Sequence, residues 1–371
     1  MMRASTAYPQ ISNKQYMKYA AMAVGMCFLF AFFSDRPSNN EVVPGMAAVG
    51  DGKAELNLRG QSSGSANLSQ LIAVGLGLTA QAAKVIKDVK AGHKEDLKVK
   101  GLTKEGVEEP VTVADTNSNL VFVNGYRNHF EGINILSEET EPEKAATKLD
   151  NPTLPDGLKL ESDPTLDLSE VLIIVDPLDA TKEFGEDLLN YVTTMVCIVH
   201  KGKPIAGIIN QVFEDDKPPV VGVIPLAEGD SGVLFNRVKK ASRKVPVGEA
   251  AHTVTISRSH TGEGGNVVQN YLQGHTALLA GGAGYKSLLV LDGEAEAYIH
   301  VTAIKSWDVC AAEAVMKASG GGFSDIEGKS LVYPMTYDDA HSEALFKNGI
   351  VATASKEQQA FFVGKLDGNL T

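Results

Sequence analysis

Runs of apolar positions predict helices and strands that alternate along most of the chain. From Leu68, the segment LSQLIAVGLGLTAQAAKVIKDV repeats apolar residues at helical spacing. The segment LIIV, residues 172–175, is apolar at every position, which predicts an interior strand covered on both faces. YVTTMVCIVH and IAGIINQVF, joined by KGKP, predict a β-hairpin. This alternation predicts an α+β class with layered helices and sheets.

A second half is expected to begin near residue 220, so we divide the globular part into residues 67–219 and 220–371. In the second half, VLFN, HTVTISRSH and AEAYIHV predict strands, and NVVQNYL predicts a helix. WDVCAAEAVMKASGGG predicts a helix that ends at its glycines. Residues 140–168 are polar and contain several prolines, which predicts a long loop or an insertion.

The N-terminal segment has a different pattern. Residues 19–33, YAAMAVGMCFLFAFF, carry no charge, and extension back to Tyr16 makes the run long enough for a membrane-spanning helix. We therefore predict a cytosolic tail over 1–15, a signal anchor over 16–33 and a polar luminal tether over 34–66. A cleaved signal peptide is the alternative. Sequons at Asn67 and Asn369 agree weakly with a luminal, glycosylated chain.

Composition narrows the function classes. The net charge of −12 argues against a nucleic-acid surface, which would normally be basic. The three cysteines are too few and too scattered to predict a disulfide framework or a zinc site. We expect Cys197 and Cys310 to be small buried hydrophobes.

Two acids, Asp176 and Asp179, follow the LIIV strand on a turn stiffened by Pro177. Like charges this close are unfavourable unless a cation lies between them, and Mg²⁺ prefers oxygen ligands such as carboxylates and the Leu178 carbonyl. Two other interpretations stay open. Asp179 could serve only as a helix N-cap, or one aspartate could be a phosphatase nucleophile, although the Asp-x-x-Asp-x-Thr spacing fits the latter poorly.

Further acids occur at predicted element ends. Glu138 follows a strand in ILSEET, and Asp308 lies in the first turn of the SWDVCAAEAVM helix. Together with Asp176 and Asp179 they offer enough oxygens for two adjacent metals, an arrangement suited to in-line displacement at phosphorus.

Four ordered motifs, VADTNSN, LSEE, DPLDAT and WDVCAAEA, resemble the signatures of the inositol monophosphatase superfamily of Mg²⁺-dependent, lithium-sensitive phosphatases. The resemblance covers roughly residues 68–360 and implies a layered αβαβα sandwich. It also implies two Mg²⁺ ions, with a third, weaker ion beside Glu138 and Asp115. The expectation at Ala180, where many members have glycine, is an ordinary negative φ.

The resemblance implies roles residue by residue. Glu138, Asp176 and the Leu178 carbonyl would hold one metal, and Asp176, Asp179 and Asp308 the second. Thr181, together with Glu138 or Asp115, would orient the attacking water.

The stretches TISRSHTG and AGGAGYKS bear on the substrate. Alone, a glycine-rich turn and a histidine indicate little, although glycine amides and a lysine are able to bind an anion. As a pair, they resemble segments of the family branch that acts on 3′-phosphoadenosine 5′-phosphate in the Golgi lumen. The resemblance implies hydrolysis of the 3′-phosphate to give AMP, and a homodimer is an expectation from the family. The implied substrate-binding residues are Ser257, His260, Gly282, Lys286 and Asp308. An inositol phosphate phosphatase and a catalytically silent scaffold remain as alternatives.

Overall fold

The computed structural model describes the chain from residue 64 to residue 366 with gaps; the described residues are 64–92, 98–102, 108–139, 147, 149–226, 232–237, 252–259, 261–337 and 344–366. The predicted tail, anchor and most of the tether lie outside these residues. The longer strands are β4 (Asn134–Ser137), β6 (Val171–Asp179), β7 (Thr193–His200), β8 (Lys203–Gln211), β9 (Val220–Val223), β11 (His252–Ser257), β12 (His275–Ala280), β13 (Ala297–His300) and β17 (Ile350–Thr353). The shorter strands are β1 (Ser65–Asn67), β2 (Lys98–Leu102), β3 (Glu108–Val111), β5 (Thr165–Asp167), β10 (Val233–Phe235), β14 (Ile304–Lys305), β15 (Gly322–Ser324) and β16 (Leu345–Phe346). The α-helices are α1 (Leu68–Ala91), α2 (Val113–His129), α3 (Thr181–Gly185), α4 (Thr261–Tyr271), α5 (Ala283–Leu291), α6 (Ser306–Ala318) and α7 (Lys356–Leu366).

The first sheet has six strands in the order β10-β9-β8-β7-β6-β4. All neighbours are antiparallel except β4 and β6, which run parallel. Strand β6 lies inside the sheet, and its alternate residues face two different cores: Leu172 and Ile174 face one, and Ile173 and Val175 face the other. The prediction of a strand covered on both faces is therefore confirmed.

The second sheet has five strands in the order β12-β11-β13-β17-β15. Strands β12, β11 and β13 run parallel, while β17 runs antiparallel to both of its neighbours. Because β11 and β12 are parallel, their carboxyl ends, at Ser257 and Ala280, meet at one edge of the sheet.

Helices and sheets stack in five layers. Helices α1 and α2 pack on the outer face of the first sheet, α5 and α6 lie between the two sheets, and α4 and α7 cover the outer face of the second sheet. The core between the sheets includes Trp307 and Met316 of α6. The predicted α+β class with layered helices and sheets is confirmed.

Several boundaries differ from the prediction. The expected division at residue 220 falls inside the first sheet, since β9 and β10 both continue that sheet, and the second sheet begins only at His252. Within the predicted loop 140–168, β5 pairs with β1. The glycine-rich turn at residues 281–282 leads directly into α5, a helix that the sequence reading missed.

Helix α1 is long and apolar enough to cross a membrane by length and composition. Its residues Leu71, Ile72 and Leu78 are nevertheless fully buried and pack in the core beneath the first sheet. We therefore assign α1 to the globular domain.

Candidate active site

The end of β6 forms the centre of the site. Strands β4 and β6 are parallel, with Ser137 opposite Val175, so both strands end at the same edge of the sheet. The Glu138 amide donates to the Val175 carbonyl at 3.1 Å, which places Glu138 beside Asp176. The ladder between β6 and β7 is irregular from Asp176 to Asp179, where Pro177 and Leu178 interrupt regular pairing. The Leu178 amide donates to Asp176 Oδ1 at 3.1 Å and fixes the orientation of that carboxylate.

Asp179 is held by the helix that follows the glycine-rich turn. Its Oδ1 accepts from the Ala283 amide at 3.1 Å, and its Oδ2 accepts from the Gly284 amide at 2.9 Å and from the Thr193 hydroxyl at 2.8 Å. Burial raises the pKa of Asp179, while Lys286 and these three hydrogen bonds oppose the rise. Asp179 is thus anchored to α5 and β7, with its charge partly balanced by Lys286.

Ala180, the residue after Asp179, has φ 71° and ψ 44°, which is left-handed backbone. The expectation of an ordinary negative φ at this position was therefore wrong. The reason is geometric: the chain must reverse between the end of β6 and the start of α3, whose first turn begins with a Phe184 amide donating to the Ala180 carbonyl at 2.9 Å. A left-handed alanine costs about 1–2 kcal/mol relative to the right-handed form.

Asp308 reaches the site from a different element, the first turn of α6. The Lys305 amide donates to Asp308 Oδ2 at 3.1 Å. Burial, then Glu138 and Asp179, raise the pKa of Asp308 to about 8. This helix start lies against the first sheet because α6 packs on β7, β8 and β9.

The acids influence one another strongly. The pKa of Asp176 is raised well above its ordinary value, first by burial and then by the negative charges of Glu138, Asp179 and Asp308. Carboxylates from the residue after β4, from the end of β6 and from α6 therefore lie in one region with little access to water. Such a group of oxygens fits a hard divalent cation, because an ion of that kind offsets their repulsion and prefers oxygen ligands.

A second constellation links α2 to α3. The Thr181 hydroxyl lies 2.8 Å from Asp115 Oδ1 and 3.1 Å from the Leu178 carbonyl, so its proton is directed at one of these acceptors. Asp115 Oδ2 accepts from the Thr112 amide at 2.8 Å and from the Thr112 hydroxyl at 2.5 Å. Burial raises the pKa of Asp115 to about 7, with Glu138 adding to the rise. Of the two acids expected near Thr181, the structure places Asp115 in contact.

The sequence reading missed one cation at this site. Lys100, on β2, contacts Glu138 at 2.7 Å and Glu139 at 2.5 Å. Both carboxylates raise the pKa of this lysine against the effect of burial. Its position depends on how the β2–β3 hairpin packs, and KVKGL has no local pattern that would have revealed it.

The glycine-rich segment is shaped by its approach to Asp179. A Cβ on Gly282, whose φ is 66°, would lie 2.9 Å from Asp179 Oδ2, and one on Gly284 would lie 2.9 Å from Met195 Sδ. Lys286 is buried, donates to the Gly282 carbonyl at 2.7 Å and lies 4.9 Å from the centre of the Tyr298 ring. The Ala283 and Gly284 amides therefore already have Asp179 as their acceptor.

Ser257, another predicted substrate residue, lies on the adjoining edge. Ser257 ends β11, and the next residue, Arg258, pairs with Glu183 of α3 at 2.9 Å and with Glu186 at 2.6 Å. These ion pairs bring the carboxyl end of β11 against the segment that follows Asp179 and Thr181. His260 lies outside the described residues.

Cys197 of β7 and Cys310 of α6 form a disulfide with a Cα–Cα distance of 5.7 Å. The expectation that both are buried is confirmed, since each is at most 1% exposed. The sequence analysis did not predict that they pair with each other. Residues 113 positions apart meet because α6 packs across β7, a contact that cysteine spacing does not reveal.

The αβαβα fold, with buried carboxylates at the end of an interior strand, is the fold of a class of phosphatases that generally use Mg²⁺. The chain belongs to the inositol monophosphatase family, whose profile matches residues 67–367.

Two groups of relatives are similar in sequence. Inositol monophosphatase 3 of Xenopus laevis is 32% identical over 81% of this chain and 82% of its own length. The Golgi-resident adenosine 3′,5′-bisphosphate 3′-phosphatase of Homo sapiens is 31% identical over 86% of this chain and 84% of its own length. Among solved structures, extragenic suppressor protein suhB from Bartonella henselae aligns with a TM-score of 0.57 at 16% identity, covering 81% of this chain and 99% of that protein. An IMPase from Thermotoga maritima aligns with a TM-score of 0.56 at 16% identity, covering 81% and 100%. At these identities the structural likeness shows the fold alone.

Proposed function

We propose that this chain is a Mg²⁺-dependent phosphatase that removes the 3′-phosphate of 3′-phosphoadenosine 5′-phosphate, giving AMP and phosphate. The observation that supports the catalytic part is the convergence of Glu138, Asp179 and Asp308 on Asp176, whose pKa all three raise. Four acids from three separate parts of the chain seldom share a buried region without a cation.

The donor set fits Mg²⁺ because all the offered atoms are oxygens. Glu138, Asp176 and the Leu178 carbonyl would hold one ion, and Asp176, Asp179 and Asp308 the other. When bound, Mg²⁺ supplies Lewis acidity that lowers the pKa of water and neutralises charge on the phosphoryl oxygens. A third ion beside Glu138 and Asp115 is a further part of the proposal.

The chain itself supplies the proton acceptor. Asp115 accepts the Thr181 hydroxyl proton at 2.8 Å, so a Thr181 lone pair is left to orient the attacking water. As water attacks phosphorus, Thr181 takes a proton from the water and passes its own to Asp115. The bond between phosphorus and the ribose 3′-oxygen breaks in the same step, and the leaving oxygen takes a proton from solvent. In the metal-free protein, burial raises the pKa of Asp115 to about 7, and a raised pKa makes this carboxylate a stronger base.

The proposed nucleotide substrate is supported by the names of similar proteins and by the position of the second sheet. Proteins named Golgi-resident adenosine 3′,5′-bisphosphate 3′-phosphatase are 31–32% identical to this chain. In the proposal, Ser257 and His260 contact the nucleotide, Gly282 and Lys286 lie near its 5′-phosphate or ribose, and Asp308 also faces the substrate. The edge formed by Ser257 and Ala280 adjoins the Asp179 turn, which supports this arrangement.

An inositol phosphate is the second candidate substrate, and two observations favour it. Relatives named inositol monophosphatase 3 are 32–33% identical to this chain. In addition, the Ala283 and Gly284 amides bond Asp179, so the glycine-rich segment is not a ready-made cradle for a second phosphate.

The two candidates are separated by kcat/KM measured with each substrate at saturating Mg²⁺. We expect faster turnover of the nucleotide. Faster turnover of inositol 1-phosphate would overturn the substrate assignment and leave the metal site intact. Hydrolysis of neither ester would instead favour a silent scaffold, which calorimetric titration with Mg²⁺ would test directly.

The metal site is tested with Asp179→Asn, an isosteric change that removes one ligand charge. We expect a loss of more than about 100-fold in kcat with either substrate, since a ligand should matter more than the outer-shell partners that cost 10–100-fold. The matched control is Asp215→Asn, which alters an exposed acid in the turn after β8 that pairs with Lys87. Retention of most activity in Asp179→Asn would refute the two-metal arrangement.

We further propose that residues 16–33 anchor the protein in the Golgi membrane with the phosphatase domain in the lumen. The names of the Golgi-resident relatives and the Cys197–Cys310 disulfide support an oxidising compartment. Protection of the domain from protease in sealed vesicles is the expected result, and digestion without detergent would contradict it.

Light scattering on purified protein tests the expected homodimer.

A further inference from the structure

At the far end of the second sheet, a separate group of side chains has the arrangement of a transition-metal site. His252 begins β11 and His275 begins β12, and the two residues lie opposite each other in the parallel register. Glu296 immediately precedes β13, and its amide donates to the Thr253 carbonyl at 2.7 Å. Three neighbouring strands thus present two imidazoles and a carboxylate at one edge. That edge is roughly 16 Å from the Ser257 end of β11, given the rise per strand residue.

The donor atoms are close together. His252 Nδ1 lies 2.6 Å from Glu296 Oε1, and His275 Nε2 lies 3.3 Å from Glu296 Oε2. One donor atom from each of the three residues falls within 4.8 Å of the other two. Tetrahedral bonds of about 2.0–2.1 Å require donor atoms about 3.3 Å apart. Small side-chain rotations would therefore bring all three onto one ion.

The orientation of His275 is already fixed. Its Nδ1 faces the Leu272 carbonyl at 3.3 Å, which places the ring N–H there and directs the Nε2 lone pair at Glu296. Metal-binding histidines usually have this second hydrogen bond. A lone pair directed at a carboxylate oxygen is unfavourable unless a proton or a metal ion lies between them. The ring centroids of His252 and His275 lie 5.3 Å apart, close enough for one divalent ion to bind a lone pair from each ring.

The surroundings of His275 provide rigidity and access. Its ring packs edge-on against Phe362 at 5.4 Å and lies 6.1 Å from Phe361, both in α7. A pocket of about 390 Å³, lined by Asn270, His275 and Lys365 among others, opens beside the ring. The His252 and Glu296 side chains are 31% and 20% exposed, which leaves access for an ion and for a fourth ligand such as water.

From this geometry we propose that His252, His275 and Glu296 bind Zn²⁺, with a water in the fourth position, and that the ion joins β11, β12 and the start of β13. Two nitrogens and one oxygen suit a borderline ion such as Zn²⁺ rather than Mg²⁺, which prefers oxygen alone. Because such an ion binds the folded chain, it should stabilise the second sheet. The site is independent of the phosphatase reaction.

The test uses the full chain, stripped with EDTA and then saturated with Mg²⁺ so that the carboxylate site is occupied. Co²⁺ is titrated in as a spectroscopic substitute for Zn²⁺, because tetrahedral nitrogen ligation gives visible absorption much stronger than that of six-oxygen ligation. We expect one equivalent to produce this absorption, Zn²⁺ to abolish it by displacement, and Zn²⁺ to raise Tm.

Two variants remove ligands at partly exposed positions, His252→Asn and Glu296→Gln, and each should weaken Co²⁺ binding by more than about 100-fold. The control is His200→Asn, which changes a histidine that pairs with Glu170 at 3.4 Å in the first sheet. Melting in EDTA checks that each variant folds, and Mg²⁺-dependent activity should stay unchanged. Absorption that persists in both variants, or no strong absorption in the wild type, would overturn the proposal and leave a simple histidine–glutamate ion pair.

Discussion

The left-handed alanine at position 180 makes a sharp prediction about stability. Ala180→Gly removes a Cβ from a residue with φ 71°, directly between the Asp179 carboxylate and α3. Glycine adopts this conformation without the steric penalty, so the folded state loses strain. At the same time, glycine gives the unfolded chain more freedom, which opposes the gain.

The size of the effect follows from these two terms. Relief of left-handed strain is worth about 1.5 kcal/mol, the middle of the range for a non-glycine residue. The added freedom of the unfolded chain costs about 0.7 kcal/mol. We therefore expect Ala180→Gly to raise the free energy of unfolding by about 0.8 kcal/mol, which corresponds to about 2 °C in Tm for a domain of this size.

Urea unfolding followed by fluorescence measures the change. The chain has one tryptophan, Trp307, which is buried in α6 and so reports on the globular domain. The matched control is Ala80→Gly, at an exposed position inside α1, where the same replacement should lower stability by about 1 kcal/mol. If Ala180→Gly destabilises the protein as much as Ala80→Gly does, the backbone at Ala180 is not left-handed and the turn described above is wrong.

Three further predictions concern the site and the disulfide. Thr181→Ala should lower kcat by about 100-fold or more, because it removes the hydroxyl that hydrogen-bonds to Asp115. Thr181→Ser keeps the hydroxyl and should keep most of the activity. An equal loss of activity in both variants would refute a role for the hydroxyl. In EDTA, the folded protein retains protons on Asp115 (pKa about 7) and Asp308 (pKa about 8) that the unfolded chain, with ordinary values of 3.8, releases. The free energy of unfolding in EDTA should therefore fall as pH rises from about 4 to about 8. The increase of Tm caused by Mg²⁺ should become larger over the same pH range. An increase of Tm by Mg²⁺ that does not change with pH would contradict the burial of these acids. Reduction of the Cys197–Cys310 disulfide should lower the free energy of unfolding by about 2–4 kcal/mol, and thiol titration of the unfolded, unreduced chain should find Cys27 alone; three titratable thiols would refute the pairing.

Predictions made from local pattern agree well with the structure. The uninterrupted apolar run before Asp176 predicted an interior strand because side chains on both faces of β6 meet a core. Asp308 was expected in the first turn of a helix because SWDVCAAEAVM has helical spacing and an early acid, and α6 begins at Ser306. In both cases the information lies within a few consecutive residues.

Features that depend on packing between distant segments were missed or misjudged. Lys100 reaches Glu138 only because the β2–β3 hairpin folds over the strand ends, and Cys197 meets Cys310 only because α6 crosses β7. The prediction for Ala180 was wrong because an alanine usually has a negative φ, whereas the reversal of the chain into α3 requires a positive φ here.

The glycine-rich segment shows how one pattern can have two physical causes. AGGAGYKS alone is compatible with a plain turn, although its glycine amides and lysine are able to bind a phosphate. In the structure, Gly282 and Gly284 leave room for Asp179, whose carboxylate takes the Ala283 and Gly284 amides. A carboxylate and a phosphate are both anions, so the same amides would suit either one. The segment therefore orients a proposed metal ligand through its Ala283 and Gly284 amides, and in the proposal its contacts with substrate come from Gly282 and Lys286.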